Sequence, residues 1–174
     1  MPEVLTKQFK VLFLYPNTMM SLLLPLHISI MSACLKKKGF QVALFDTTYY
    51  RTEEKSFDEK KVELLQVKRF TIEDGGYEES DIYKDLNELV EDYKPNLIAI
   101  SLVEDTHRLG VSLLKSIEKY DIPVIAGGNG INFKADEVIK EKQFDMLCLG
   151  EGEEVLVELC EAMYEGKDYS GIKN

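Results

Sequence analysis

A doubly wound α/β fold with five parallel strands in the order 2-1-3-4-5 is predicted by three stretches of this 174-residue sequence. They read PNLIAIS, IPVIAGGNG and FDMLCLGEGEE, and they fall between Pro95 and Glu154. Each is a short apolar run that ends in small or polar residues, and helical patterns separate them. Such runs are the signature of consecutive βαβ units. Ligands of open α/β sheets sit outside the carboxyl ends of the strands. The segments Ser101 to Asp105, Gly127 to Gly130 and Gly150 to Glu153 are therefore expected on one rim.

Taken in order, the first strand is KVLFLY, Lys10 to Tyr15, apolar on both faces as a central parallel strand requires, and Pro16-Asn17 ends it. The loop from Asn17 to Pro25 carries TMMSLLL, an apolar run that suggests either an early helix or a surface covered by a ligand or another domain. A crossover helix follows with Leu26, Ile30, Met31, Cys34 and Leu35 expected on its inner face, basic residues Lys36 to Lys38 in its last turn and Gly39 as its stop. The second strand spans Phe40 to Phe45 and Asp46 closes it.

Residues 47–80 form a charged, Tyr- and Glu-rich excursion, far longer than the roughly 4 to 6 residues of an ordinary connection. Within it, VELLQV (Val62 to Val67) is too short for periodicity to choose helix or strand. Gly75-Gly76 marks a turn. Ser80-Asp81 then cap a helix with Ile82, Leu86, Leu89, Val90 and Tyr93 on one face. The third strand is Leu97 to Ser101, followed by a helix with Leu113, Leu114 and Ile117 facing inward. The fourth strand is Pro123 to Ala126. A short helix around Val138 and Ile139 leads to the fifth strand, Met146 to Leu149, and a last helix presents Val155, Leu156, Leu159, Cys160 and Met163. Five strands and five helices in strict alternation, joined by right-handed crossovers, make a Rossmann-like sheet of the flavodoxin-like order. Residues 1–165 are the domain; the polar tail GKDYSGIKN, residues 166–174, reads as the start of a linker.

Composition narrows the function. The net charge of −10 repels phosphate backbones and anionic lipid surfaces, which argues against nucleic acid and membranes as partners. Neither a bilayer-spanning apolar run nor a signal sequence is present, so a cytoplasmic location is expected. Cys34, Cys148 and Cys160 lie in apolar periodic runs without a C-x-x-C pattern and read as buried, reduced thiols.

Several site types are excluded by residues at the strand ends. A phosphate-receiving domain needs acidic residues after the first strand and a lysine after the fifth, where this chain has Tyr15-Pro16-Asn17 and Gly150-Glu151. There is no G-x-G-x-x-G after the first strand, no Walker loop and no G-x-S-x-G elbow. The rim glycines remain. Gly127 and Gly128 permit positive φ and remove Cβ atoms from a strand end, and Gly130 lies just downstream. Gly150-Glu151-Gly152-Glu153 opens a helix whose glutamates suit its N-terminal dipole. Ser101 offers a hydroxyl to the crevice or to local capping. Glu104, Asp105, Thr106 and His107 open the next helix, with His107 expected on an exposed first turn. His27 has no second His, Cys or carboxylate at ligand spacing and receives no metal or cofactor role.

The combination YKPNLIAIS, IPVIAGGNGINFKADEVI and FDMLCLGEGEEVLVELCEAM resembles the N-terminal cobalamin-binding domain of cobalamin-dependent radical SAM enzymes. The likeness runs from KVLFLYPN to GKDYSGIKN. It implies that Gly127, Gly128 and Ser101 line a slot for the lower nucleotide of cobalamin, and that Gly150 to Glu153 match a family hallmark. The cofactor contacts so implied are Asn17 and Thr18; Ser101, Val103, Glu104 and Asp105; Gly127, Gly128, Asn129 and Gly130; and Gly150, Glu151 and Gly152, with no catalytic or metal-ligating residue. Two patterns are absent. Cobalamin mutases and methionine synthase carry D-x-H-x-x-G after the first strand, whose histidine ligates cobalt; PNTMMS stands here, so cobalamin without a histidine ligand is implied. The C-x-x-x-C-x-x-C of a [4Fe-4S] cluster is also absent, which assigns the cluster, S-adenosylmethionine and the chemistry (methyl transfer or carbon-centre rearrangement) to a radical SAM domain downstream. The alternative from another class is a degenerate domain that kept the fold, lost the cofactor and serves protein contacts.

Overall fold

A computed structural model describes residues 6–18, 25–53, 57–64 and 80–173. Among them the chain runs β1 (Lys10–Tyr15), α1 (Leu26–Lys37), β2 (Gln41–Asp46), α2 (Phe57–Glu63), α3 (Ile82–Tyr93), β3 (Leu97–Ser101), α4 (His107–Ile117), β4 (Val124–Gly127), α5 (Asn129–Asn132), α6 (Ala135–Val138), β5 (Met146–Leu147) and α7 (Glu153–Glu165). Single 3₁₀ turns flank α4 at Glu104–Thr106 and Glu118–Tyr120. The strands form one sheet in the order β2-β1-β3-β4-β5, with every neighbouring pair parallel. The predicted fold class is the observed one.

Alternation along the strands divides the core into two layers. Leu12, Leu14, Ile98, Ile100, Val124 and Ala126 pack under α3, α4 and the short helices, together with Leu86, Val90, Leu113, Leu114 and Ile117. Val11, Phe13, Leu97, Ala99 and Ile125 face the opposite way, against Ile28 and Leu35 of α1 and Leu156, Leu159 and Cys160 of α7. Among the described residues, α1 and α7 alone contribute buried helix residues to this second layer, and a gap between them exposes part of the sheet at its rim. At the start of α3, the Asp81 carboxylate accepts from the N–H groups of Tyr83 and Lys84, the cap that the sequence indicates.

Four expectations need correction. In α1 the inward residues are Ile28, Met31 and Leu35, while Leu26 and Ile30 are exposed. The helix carries two adjacent apolar stripes, 26-30-34 and 28-31-35, and periodicity alone could not choose between them. Cys34 is accordingly only partly buried, whereas Cys148 and Cys160 are buried; all three are free thiols. β5 stops at Leu147, two residues early, because an edge strand has pairing from one side only. The strict alternation of five helices gives way to seven among the described residues, since both the β2–β3 and the β4–β5 connections hold two. Residues 19–24 of the apolar loop, 65–67 of VELLQV and the Gly75-Gly76 turn lie outside the described residues.

Candidate cofactor cleft

A cleft of about 380 Å³ opens at the carboxyl end of the sheet, in the gap between α1 and α7. Its floor is Phe13, Ala99, Ile125 and Cys148; its walls are His27 and Met31 of α1 and Glu153 and Leu156 of α7. The rim holds Ser101, Val103, Gly127, Gly128, Asn129, Asn132, Gly150, Glu151 and Gly152. An apolar floor below a ring of polar groups and open main chain is the usual composition of a small-molecule site.

Eight of the residues implied by the resemblance meet here: Ser101, Val103, Gly127, Gly128, Asn129, Gly150, Glu151 and Gly152. The other five do not. Asn17, Thr18 and Asp105 line a separate hollow of about 50 Å³ beside Thr106 and Leu109. Asn17 is buried, and its side-chain amide donates to Thr48 Oγ1 at 2.8 Å while its main-chain N–H donates to Thr47 Oγ1, so it ties the ends of β1 and β2 together. Glu104 pairs with Lys134 at 2.6 Å, a contact that pulls its carboxyl below the usual range. The Gly130 N–H donates to Leu102 O at 3.1 Å, and a Cβ there would lie 2.9 Å from the Val103 carbonyl carbon.

The paired glycines have different reasons to be glycine. Gly128 has φ +108°, and a Cβ on it would sit 2.5 Å from Leu102 O, so chain packing between the ends of β3 and β4 excludes a side chain. A Cβ on Gly127 would meet Cys148 at an ordinary 3.6 Å. Gly127 is thus the glycine that keeps the cleft open. The Gly150 N–H, at φ +81°, is held by Asn132 Oδ1 at 3.0 Å, which links the β4 and β5 loops.

Sequence reasoning left out His27, Met31 and Asn132. Asn132 carries no local signal, since only the turn of α5 brings it to Gly150. His27 lies 74 residues from Ser101, yet its Nε2 is 2.9 Å from Ser101 Oγ across the cleft. Its ring also meets the edge of Tyr15, with centroids 5.8 Å apart. Partial desolvation lowers the His27 pKa, against an opposing pull from Glu153. Burial raises the Cys148 pKa, and Glu153 and Glu151 add to the effect, so its thiol stays protonated. The other histidine, His107, starts α4 half-buried: its Nε2 is 2.7 Å from Glu141 Oε1 and its ring packs on Phe144. No group of three or more His, Cys, Asp and Glu residues is placed to hold a metal ion among the described residues. No helix among them is long and apolar enough to cross a membrane.

α1 and α7 both begin at this cleft, and among the described residues no cap side chain holds their first N–H groups, the cap positions being Pro25 and Gly152. Two helix N-termini favour negative charge in a ligand. The absence of Cβ at Gly127, the apolar floor and the two helix starts fit the nucleotide end of a cobalamin, which combines a flat heteroaromatic base with a phosphodiester.

Comparison with known proteins gives a fold and a family. Among solved structures, the radical S-adenosylmethionine methyltransferase TsrM from Kitasatospora setae, with tryptophan substrate and a SAM analogue bound, superposes with a TM-score of 0.70 at 22% identity, over 94% of this chain and 27% of that one. The same enzyme with cobalamin and a [4Fe-4S] cluster bound gives a TM-score of 0.70 over 26% of its length. The cobalamin-dependent S-adenosylmethionine radical enzyme OxsB with aqua-cobalamin bound gives 0.66 at 15% identity, over 94% of this chain and 20% of that one. These likenesses show the fold, and the chain spans about a quarter or less of each enzyme. No curated protein matches. The family model described as B12 binding domain matches residues 18–160, and the chain belongs to that family.

Proposed function

We propose that the cleft between α1 and α7 receives the nucleotide tail of cobalamin, with the corrin resting on the rim, and that the chain is the cobalamin-holding part of a radical SAM enzyme. The observation that carries the reading is the Gly127 position: a strand-end glycine with unstrained backbone whose missing side chain leaves the floor of a cleft open beside Cys148. Ser101 supplies a hydroxyl to the tail, the N–H groups at the starts of α1 and α7 face its negative charge, and Met31, Phe13 and Leu156 exclude water from the base. When bound, the corrinoid supplies methyl-transfer or carbon-rearrangement chemistry, with a [4Fe-4S] cluster and S-adenosylmethionine held by a radical SAM domain of the same polypeptide. Cobalt carries no histidine in this reading, because His27 Nε2 is already engaged by Ser101 and His107 lies outside the cleft against Glu141. No observation favours the cofactor-free interaction domain.

The test is retention. The purified chain is incubated with hydroxocobalamin, desalted, and its visible spectrum recorded. Near-stoichiometric absorbance is expected, with the same band positions in His107→Ala. A well-folded chain that retains no absorbance overturns the proposal, and a band shift in His107→Ala overturns the claim about cobalt.

A further inference from the structure

The charges around the cleft do not balance for an anionic ligand. Among the described residues that line it there is no Lys or Arg, while Glu151 and Glu153 contribute two carboxylates. A cobalamin tail adds a phosphodiester. Its charge is opposed by the helix starts and by one side chain able to become a cation, His27. Tyr15 of β1, Ser101 of β3 and Glu153 of α7 act on that ring, and Cys148 after β5 and Glu151 in the following loop line the same cleft. Tyr15 and Cys148 are neutral near pH 7, and burial raises the pKa of each further from it.

We propose that His27 is the recognition group for the tail's phosphodiester: it takes up a proton as the tail enters, while Ser101 holds its ring at the cleft. The hydrogen bond between them makes the two side chains one device. A neutral imidazole is able either to accept from the serine hydroxyl or to donate to it. A protonated imidazole has donors only, so Nε2–H donates to Ser101 Oγ, and the serine O–H turns from His27 toward the cleft as a second donor. Protonation thus delivers a positive charge and a hydroxyl donor to the same anion. Glu153 favours the same state of the ring, and the desolvation that keeps the free ring neutral is offset once an anion is beside it.

The proposal rests on the cleft being the cobalamin site, and its consequence is a pH dependence of known sign. The tail's charge raises the pKa of His27 in the complex above that of the free chain, so the complex holds more protons in the window between the two values. Affinity is then full below the free-chain value, which lies under 6.5, and falls by up to about tenfold for each pH unit as pH rises through the window. Cobinamide, the corrinoid without the nucleotide, has no phosphodiester and serves as the control.

Dissociation constants for hydroxocobalamin and cobinamide are measured across neutral pH with the parent chain and with His27→Gln, which keeps a hydrogen-bonding partner for Ser101 and cannot become a cation. The parent is expected to lose cobalamin affinity with rising pH, whereas His27→Gln with cobalamin, and both proteins with cobinamide, are flat across neutral pH. In parallel, the imidazole resonances of the two histidines are titrated by NMR in the parent alone. Cobalamin is expected to move the His27 midpoint upward and to leave His107 in place. This arm decides the matter if His27→Gln fails to fold. Cobalamin binding that is independent of pH, equal slopes in parent and variant, or an unmoved His27 midpoint overturns the inference and leaves the cobalamin site standing. A folded chain that binds no cobalamin removes both.

Discussion

A methyl group added at Gly127 or at Gly128 meets different surroundings, although the two residues are neighbours. At Gly128 it requires φ +108° of an L-residue and comes within 2.5 Å of Leu102 O. Gly128→Ala is expected to lose at least about 1–3 kcal/mol of stability, read as a lower melting temperature. Gly127→Ala should melt close to the parent. Gly127→Leu places a branched side chain over Cys148 and is expected to fold while cobalamin affinity drops about tenfold or more. Equal cobalamin binding by a folded Gly127→Leu would place the tail elsewhere. Cys160 gives a second residue-scale prediction. Burial pushes its thiol up to about 12, against an ordinary value of 9.0, so the folded chain keeps a proton that the unfolded chain has lost between those values. Stability therefore falls as pH rises through that window, by up to about 1.4 kcal/mol per pH unit from this group. Cys160→Ala should flatten the alkaline slope in urea melts, at the cost of a small cavity. An unchanged slope would show that the thiol ionises freely in the folded chain.

Among the elements, α3 is the one whose start is most fully specified by local chemistry. Asp81 accepts from two N–H groups in the first turn, at 2.8 and 3.3 Å, and the helix buries Leu86 and Val90. Asp81→Ala is expected to cost about 1 kcal/mol, seen as a lower urea midpoint with an unchanged slope, and to leave cobalamin binding alone because α3 lies on the sheet face opposite the cleft. A change in corrinoid affinity would contradict that separation. α1 and α7 behave differently: both begin at the cleft with cap residues, Pro25 and Gly152, that make no side-chain cap bond, and N–H groups of such first turns suit an anionic ligand.

For the whole molecule, ligand and fold are linked by mass action. Cobalamin at about a hundred times its dissociation constant stabilises the native state by about 2.7 kcal/mol. For a chain of 174 residues that corresponds to a rise in melting temperature of roughly 5–10 °C. A scanning calorimetry trace unmoved by saturating cobalamin would contradict the proposed site.

Much of this was legible in residue order alone. Short apolar runs alternating with helical patterns point to parallel strands joined by crossovers, and the order β2-β1-β3-β4-β5 is adopted as that of a flavodoxin-like sheet; the structure has it. Ser101, Gly127 and Gly150 were locatable because strand ends in such a sheet share one rim. What local pattern does not contain is the rotation of a helix about its axis or the meeting of distant segments. Which stripe of α1 faces the sheet depends on how it docks beside α7, and that rotation brings His27 to Ser101 from 74 residues away. The duties of Gly127 and Gly128 likewise separate only when β3 lies beside β4, because a missing Cβ acquires meaning from the atom it would have struck.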